Sequence, residues 1–186
     1  MSKVIVSQFI TLDGVVEDPG GAEDSPHGGW AFKFERGPEG DQFKLDELMS
    51  AGALLLGRKT YEGFAAAWPS REGEFADKFN TMPKYVVSST LSDPDWNNTI
   101  VCGTDVAAAV ERARSEVDGN ILVNGSVQLV SELLERGLAD ELRLMIFPTV
   151  AGGGLHLVEG RGPASMRLTE SRPAGETLIA IYEPIR

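Results

Sequence analysis

Leu54-Leu55-Leu56-Gly57-Arg58-Lys59-Thr60-Tyr61-Glu62 is the stretch from which the fold is read. An apolar run halts at a glycine, two cations and a hydroxyl follow, and a helix-like segment begins. This is the pattern of a buried strand handing positive charge to a helix start, where unpaired backbone N–H groups favour anions. Ile121-Leu122-Val123 ends in the same manner at Asn124-Gly125-Ser126. Two such strand exits in one small chain point to a phosphate-bearing cofactor held across strand ends.

Outward from these exits, strand-like and helix-like stretches alternate. Residues 3–12 read as a first strand ending at Asp13-Gly14. Residues 15–40 are rich in Gly, Pro and acids, with Trp30, Phe32 and Phe34 embedded. A loop of that length is functional or disordered, and its aromatics favour an ordered loop that covers something. A helix over 41–50, a strand over 53–56 and a short helix over 60–67 follow, the last ended by Trp68-Pro69. Another helical turn is expected over 75–82, and strands over 84–88 and 99–101. Asp105 can cap a helix whose face is Val106, Ala109, Val110, Ala113 and Val117. After a strand over 120–124, Ser126 can cap a helix with core face Val127, Val130, Leu133 and Leu134, which Gly137 is placed to end.

The last third changes character. Residues 141–147 alternate as a half-buried strand does, and Pro148 stops them. Gly152-Gly153-Gly154 is a flexible turn, and residues 165–171 and 176–182 form a hairpin around Pro173-Ala174-Gly175. The sum is an α/β chain with a mixed sheet: parallel units with helical crossovers, then antiparallel strands.

At 186 residues and 42% hydrophobic, the chain fits one soluble domain over residues 1–186. A net charge of −11 argues against nonspecific binding to nucleic acid or anionic membrane, while leaving a phosphorylated ligand open. Cys102 is the only cysteine, so no internal disulfide forms, and with two histidines a zinc site is not expected. The short period-two apolar start is no signal peptide, and no segment approaches the roughly 20 apolar residues of a membrane span. Cytoplasm is the expected location.

Each polar exit has a ligand reading and a plainer one. Gly57 lets a ligand approach the backbone, Arg58 and Lys59 offer charged donors, and Thr60 can bond a phosphate; a solvated basic turn fits as well. Ser88, Ser89 and Thr90 could bond a sugar phosphate or form a hydrophilic strand exit. Gly125-Ser126 can receive a pyrophosphate on free N–H groups, but the Gly-x-Gly-x-x-Gly fingerprint is missing. Jointly, all lie at C-terminal ends of strands, the edge where open α/β sheets bind ligands.

Taken in order, these segments resemble the dihydrofolate reductase superfamily. Within it the likeness is greatest to the reductase domain of the bifunctional riboflavin-biosynthesis deaminase-reductase and its stand-alone relatives. Thr11-Leu12-Asp13-Gly14 is similar to the family's first strand end, and Leu56-Gly57-Arg58-Lys59-Thr60 to its Gly-Arg-x-Thr turn. Asn124-Gly125-Ser126 stands where riboflavin reductase domains usually carry Glu-Gly-Gly, and Asp140-Glu141-Leu142 resembles the Asp-Glu-Leu strand. The resemblance implies a three-layer dihydrofolate reductase-like fold. It also implies NADPH-dependent reduction of a pyrimidine- or pterin-like heterocycle. Arg58, Lys59, Ser88 and Ser89 would then hold the 2′-phosphate end, and Gly57, Thr60, Gly125 and Ser126 the other phosphates. Asp13 or Asp41 would be the candidate acid. Asp41 fits a helix-start acid favoured by the dipole better, because Asp46 and Glu47 compete for the role. Trp30 would cover the substrate pocket or pack its loop. A genuine folate reductase and a cofactor-binding module without turnover are the alternatives. A homodimer through the C-terminal strands is expected in each case.

Overall fold

The computed structural model describes residues 2–158 and 164–185. The elements run β1 (Val4–Thr11), α1 (Gly37–Met49), β2 (Ala51–Gly57), α2 (Arg58–Ala67), α3 (Glu74–Thr81), β3 (Lys84–Val87), β4 (Thr99–Val101), α4 (Val106–Glu116), β5 (Asn120–Val123), α5 (Val127–Glu135), β6 (Glu141–Phe147), β7 (Met166–Ala174) and β8 (Thr177–Pro184). Among the described residues eight strands form one sheet in the order β4-β3-β2-β5-β1-β6-β8-β7. The six strands from β4 to β6 pair in parallel, and β8 lies antiparallel to both β6 and β7.

Chain direction sorts the helices. From β1 through β4 the chain moves one way across the sheet, and from β4 through β6 it moves back. Right-handed crossovers therefore put α1, α2 and α3 on one face and α4 and α5 on the other. Side chains of β1 split accordingly: Ile5 packs with Leu48, Tyr61 and Phe79, whereas Val4 and Val6 pack with Val110, Val130 and Leu133. Leu54, Leu55 and Leu56 of β2 are fully buried, because both faces of the strand are covered. Each contributes about 2 kcal/mol of apolar burial.

Three details differ from the sequence reading. Helix α1 begins at Gly37 rather than near residue 41, with Pro38 in its first turn; proline suits that position, where its missing N–H costs nothing. The final hairpin turns at Gly175-Glu176, and β7 runs on through Pro173. Strand β7 is the outer edge of the sheet, so a residue without an N–H is tolerated there. Helix α5 turns Leu129, Val130 and Leu133 inward, leaving Val127 and Leu134 half-buried.

Lys84, at the start of β3, is 0% exposed. Its ammonium donates to the carbonyls of Asn80 and Asn97, both at 2.8 Å, and stands 4.2 Å from the Trp96 ring centroid. It thereby ties the end of α3 to the segment before β4. Burial pulls its pKa from 10.5 to about 8. Between those values the unfolded chain binds the extra proton, so this group's contribution to stability rises with pH through the window and falls away towards pH 8. Urea midpoints of the wild type, measured against Lys84→Met, are expected to climb between pH 8 and 10.5; a flat difference would remove Lys84 from this role.

Candidate functional site

Strands β2 and β5 are neighbours, yet the helices that follow them leave on opposite faces. A crevice opens at such a switch point, at the carboxyl ends of the strands. Gly57 ends β2 and occupies the N-cap position of α2; Ser126 occupies the same position on α5. The side chain of Ser126 makes no cap bond, contrary to the expectation from sequence, and α2 also lacks one. Helix α4, on the same edge, is capped in the ordinary way by Asp105, which accepts from the amides of Ala107 and Ala108. Two helix starts with uncapped first turns therefore lie side by side.

The two turns touch. A Cβ on Gly57 would sit 2.3 Å from Ser126 Oγ, and one on Gly125 would sit 2.8 Å from Thr60 Oγ1. Gly125 has φ +128°, and the Gly125–Ser126 peptide is cis. Gly57, Thr60, Gly125 and Ser126, picked from two distant stretches of sequence, thus line one cradle. Backbone N–H groups and the positive ends of two dipoles meet there, which is the chemistry of a phosphate site. An orphan acceptor, the buried Oδ1 of Asn124, adjoins it.

The flanking polar residues are less committed. Arg58 is exposed and bonds both oxygens of Glu62, at 2.8 and 3.0 Å. Such an exposed pair is worth at most about 1 kcal/mol, so it yields readily to a ligand. Lys59 is exposed; its field partly offsets the burial and the Asp18 and Glu17 charges that raise the Glu23 pKa. That places the long loop beside the start of α2. Ser88 is buried, its Oγ accepting from the amides of Thr90 and Leu91, so it holds its own turn together. Ser89, next to it, is exposed.

Three candidate residues have their partners in the structure. Asp41 points into solvent, 66% exposed, and pairs with Arg36 at 2.6 Å. Asp13 accepts from Thr11 Oγ1 at 2.5 Å and from the amides of Ala151 and Gly152 at 3.0 and 2.8 Å. These bonds, the Thr11 hydroxyl foremost, pull its pKa from 3.8 to about 2, so it is ionised at neutral pH and holds no proton to give. It is a latch between the end of β1 and the glycine turn after β6. Trp30 is 3% exposed, donates to the Glu17 carbonyl at 3.2 Å and packs edge-on against Phe147 at 5.3 Å. These contacts pack it into its loop and against β6.

A buried ionic cluster escaped the sequence reading. Ser7 Oγ donates to Glu47 Oε2 at 2.9 Å and accepts from Lys44 Nζ at 2.8 Å, while Lys44 also pairs with Glu47. Ser7, Lys44 and Glu47 are 4%, 9% and 2% exposed. Helical spacing was the available signal: positions 40, 43, 44, 47 and 48 share one face, so an inward Phe43 and Leu48 bring Lys44 and Glu47 with them.

The comparisons with known proteins can be set against this geometry. The family model described as the RibD C-terminal domain matches residues 2–180. YyaP of Bacillus subtilis (strain 168), itself uncharacterised, is 24% identical over 185 residues, covering 96% of this chain and 93% of its own length. The crystal structure of a Shewanella sp. PV-4 protein, described as a candidate riboflavin biosynthesis protein, superposes with TM-score 0.79 at 19% identity and covers 100% of both chains. Dihydrofolate reductase from Enterococcus faecalis, complexed with NADP(H), superposes with TM-score 0.58 at 14% identity, covering 99% of this chain and 97% of that one. The fold is dihydrofolate reductase-like.

The Asp13 latch is testable without a ligand. Native-state hydrogen exchange of the Ala151 and Gly152 amides is expected to quicken in Asp13→Ala, with the β1 and β5 amides unchanged. In the wild type, the latch's stabilisation is fully present above pH 3.8 and is lost as pH falls through about 2. Unaltered exchange at both amides would show that the carboxylate holds nothing.

Proposed function

The chain belongs to the RibD C-terminal domain family, and from that premise we propose that it is an NADPH-dependent reductase acting on a pyrimidine- or pterin-like heterocycle. The observation that carries this reading is the cradle in which Gly57 meets Ser126 and Gly125 meets Thr60. The close approach fits the reading, because a Cβ at either glycine would force the two helix starts apart. The first-turn amides of α2 and α5 would hold the pyrophosphate, with the Thr60 and Ser126 hydroxyls beside it. Arg58, Lys59 and Ser89 would take the ribose 2′-phosphate, Arg58 leaving Glu62 to do so. Ser88 would act through the turn it holds. The bound cofactor supplies the hydride; the protein orients it and keeps water out.

A folate reductase of the usual kind is less well supported, because Asp41 lies in solvent with Arg36. In the same reading the protein is a cytoplasmic homodimer. Strand β7 is the open edge of the sheet, and Leu168 and Leu178 of the last hairpin are 51% and 41% exposed. No helix among the described residues is long and apolar enough to cross a membrane.

Calorimetry with NADP⁺ and NAD⁺ tests the cradle. Replacing Arg58 and Lys59 together by alanine is expected to weaken NADP⁺ at least about tenfold more than NAD⁺, since each charge-assisted bond is worth about 1.5–3 kcal/mol. Gly125→Ala, with its Cβ against Thr60, is expected to weaken both cofactors alike. No heat with NADP⁺ on the wild type would sink the proposal.

A further inference from the structure

Strand β7 ends the sheet, and among the described residues no strand pairs with its outer edge. Residues 167–173 are exposed on both faces of the strand, whereas antiparallel strands commonly bury one. An uncovered edge of this length is a template for a further strand.

The hairpin fixes which peptide groups that edge offers. Gly175-Glu176 is a two-residue turn closed by Ala174 and Thr177. Pairs alternate along such a ladder, so Ala174, Arg172 and Glu170 exchange bonds with β8, while Ser171 and Pro173 turn their peptide groups outward. The N–H that Pro173 lacks is therefore not one that holds the hairpin. Glu170 and Arg172 share the α1 face, where the Arg172 guanidinium stands 5.5 Å from the Phe43 ring centroid. The two pair at 2.8 Å through Arg172 Nε and Glu170 Oε1, with side chains 43% and 48% exposed. That bond occupies one nitrogen and one oxygen, and each group has more to offer.

We propose that β7 is the interface between two copies of this chain, paired antiparallel about a two-fold axis at Ser171. The proposal deepens the homodimer part of the reading above and holds with or without a cofactor. In this register the two Ser171 residues exchange both backbone bonds, and Glu170 faces the partner's Arg172. Charge selects the register. Moving the axis by one residue sets Glu170 against the partner's Glu170. Moving it the other way sets Arg172 against the partner's Arg172. Like charges directly opposite each other resist pairing, and opposite charges favour it. Centred at Ser171, the Glu170–Arg172 pairs of the two copies close into one ring of four alternating charges. On the other face the partner's Leu168 is brought towards Pro173 and Leu178, so exposed apolar surface is covered as well. The contact is isologous and complete with two chains. Charges and a proline are also the means by which sheet edges are blunted. A blunted edge has no reason to be self-complementary at one register and repulsive at those beside it.

Sedimentation equilibrium of the full chain at low salt tests this. The wild type is expected to be dimeric. Arg172→Glu and Glu170→Arg are each expected to weaken the dimer at least about tenfold, because each sets like charges opposite one another twice across the axis. An equimolar mixture of the two variants restores opposite charges and is expected to associate within about threefold of wild type, as is the chain carrying both substitutions. Ser171→Pro removes an outward N–H and no bond to β8, and it is expected to weaken the dimer too. Single variants that associate as tightly as wild type, or a mixture no better than its components, would overturn the register while leaving the homodimer reading intact. A wild type that stays monomeric up to its solubility limit overturns both. Should a charge variant fail to fold, Ser171→Pro decides. NADP⁺ titration reports on the reductase reading separately.

Discussion

The close approach of two turns, Gly57 to Ser126 and Thr60 to Gly125, is the constraint on which the site depends. It is inherited from topology. Strand β5 inserts between β1 and β2, so strands that are far apart in sequence end side by side. Because the chain reverses direction after β4, the helices leaving β2 and β5 diverge to opposite faces. Their first turns meet at the sheet edge and nowhere else. With a β-carbon at either glycine the turns would be forced apart, and the two dipoles would no longer converge on one volume. Positive potential is thus built from backbone geometry, in a chain whose net charge is −11. Arg58 and Lys59 stand exposed at the start of α2, beside these turns.

How much of this was legible in sequence depends on the range of the interaction. Strand exits at Gly57 and Gly125 are local patterns, an apolar run meeting glycine and polar residues, and both were readable. So was the Asp105 cap, an i to i+2 and i+3 bond. That the two exits touch was reachable only through family resemblance, since no local signal says that β5 lies between β1 and β2. Turn composition misled in two places. Gly37-Pro38 looked like loop although proline belongs in a first helical turn, and Pro173 looked like a turn although an edge strand accepts it. In each case the tertiary position, not the residue, decided.

Carboxylates were the hardest to place, and α1 shows why. Asp41, Asp46 and Glu47 lie within two turns of one helix, and the family resemblance singles out Asp41. Rotation about the helix axis matters more than distance along the chain. Phe43 and Leu48 fix the inward face, and Glu47 shares it while Asp41 and Asp46 are turned to solvent. Asp13 fails for another reason. It stands at a strand end, where a catalytic acid is expected, yet three donors from Thr11, Ala151 and Gly152 hold it ionised. A carboxylate stabilised that far in its charged form is suited to fastening loops, not to delivering protons.

The two kinds of polar site in this fold therefore work by opposite means. At the cradle, the backbone of two glycine turns sets the geometry, so a substitution that leaves the glycines alone changes charge but not shape. At the α1–β1 interface, Lys44 and Glu47 are buried side chains that pair with each other. Removing one strands its partner, and removing both leaves a packing problem rather than an electrostatic one. An apolar pair would satisfy the fold there.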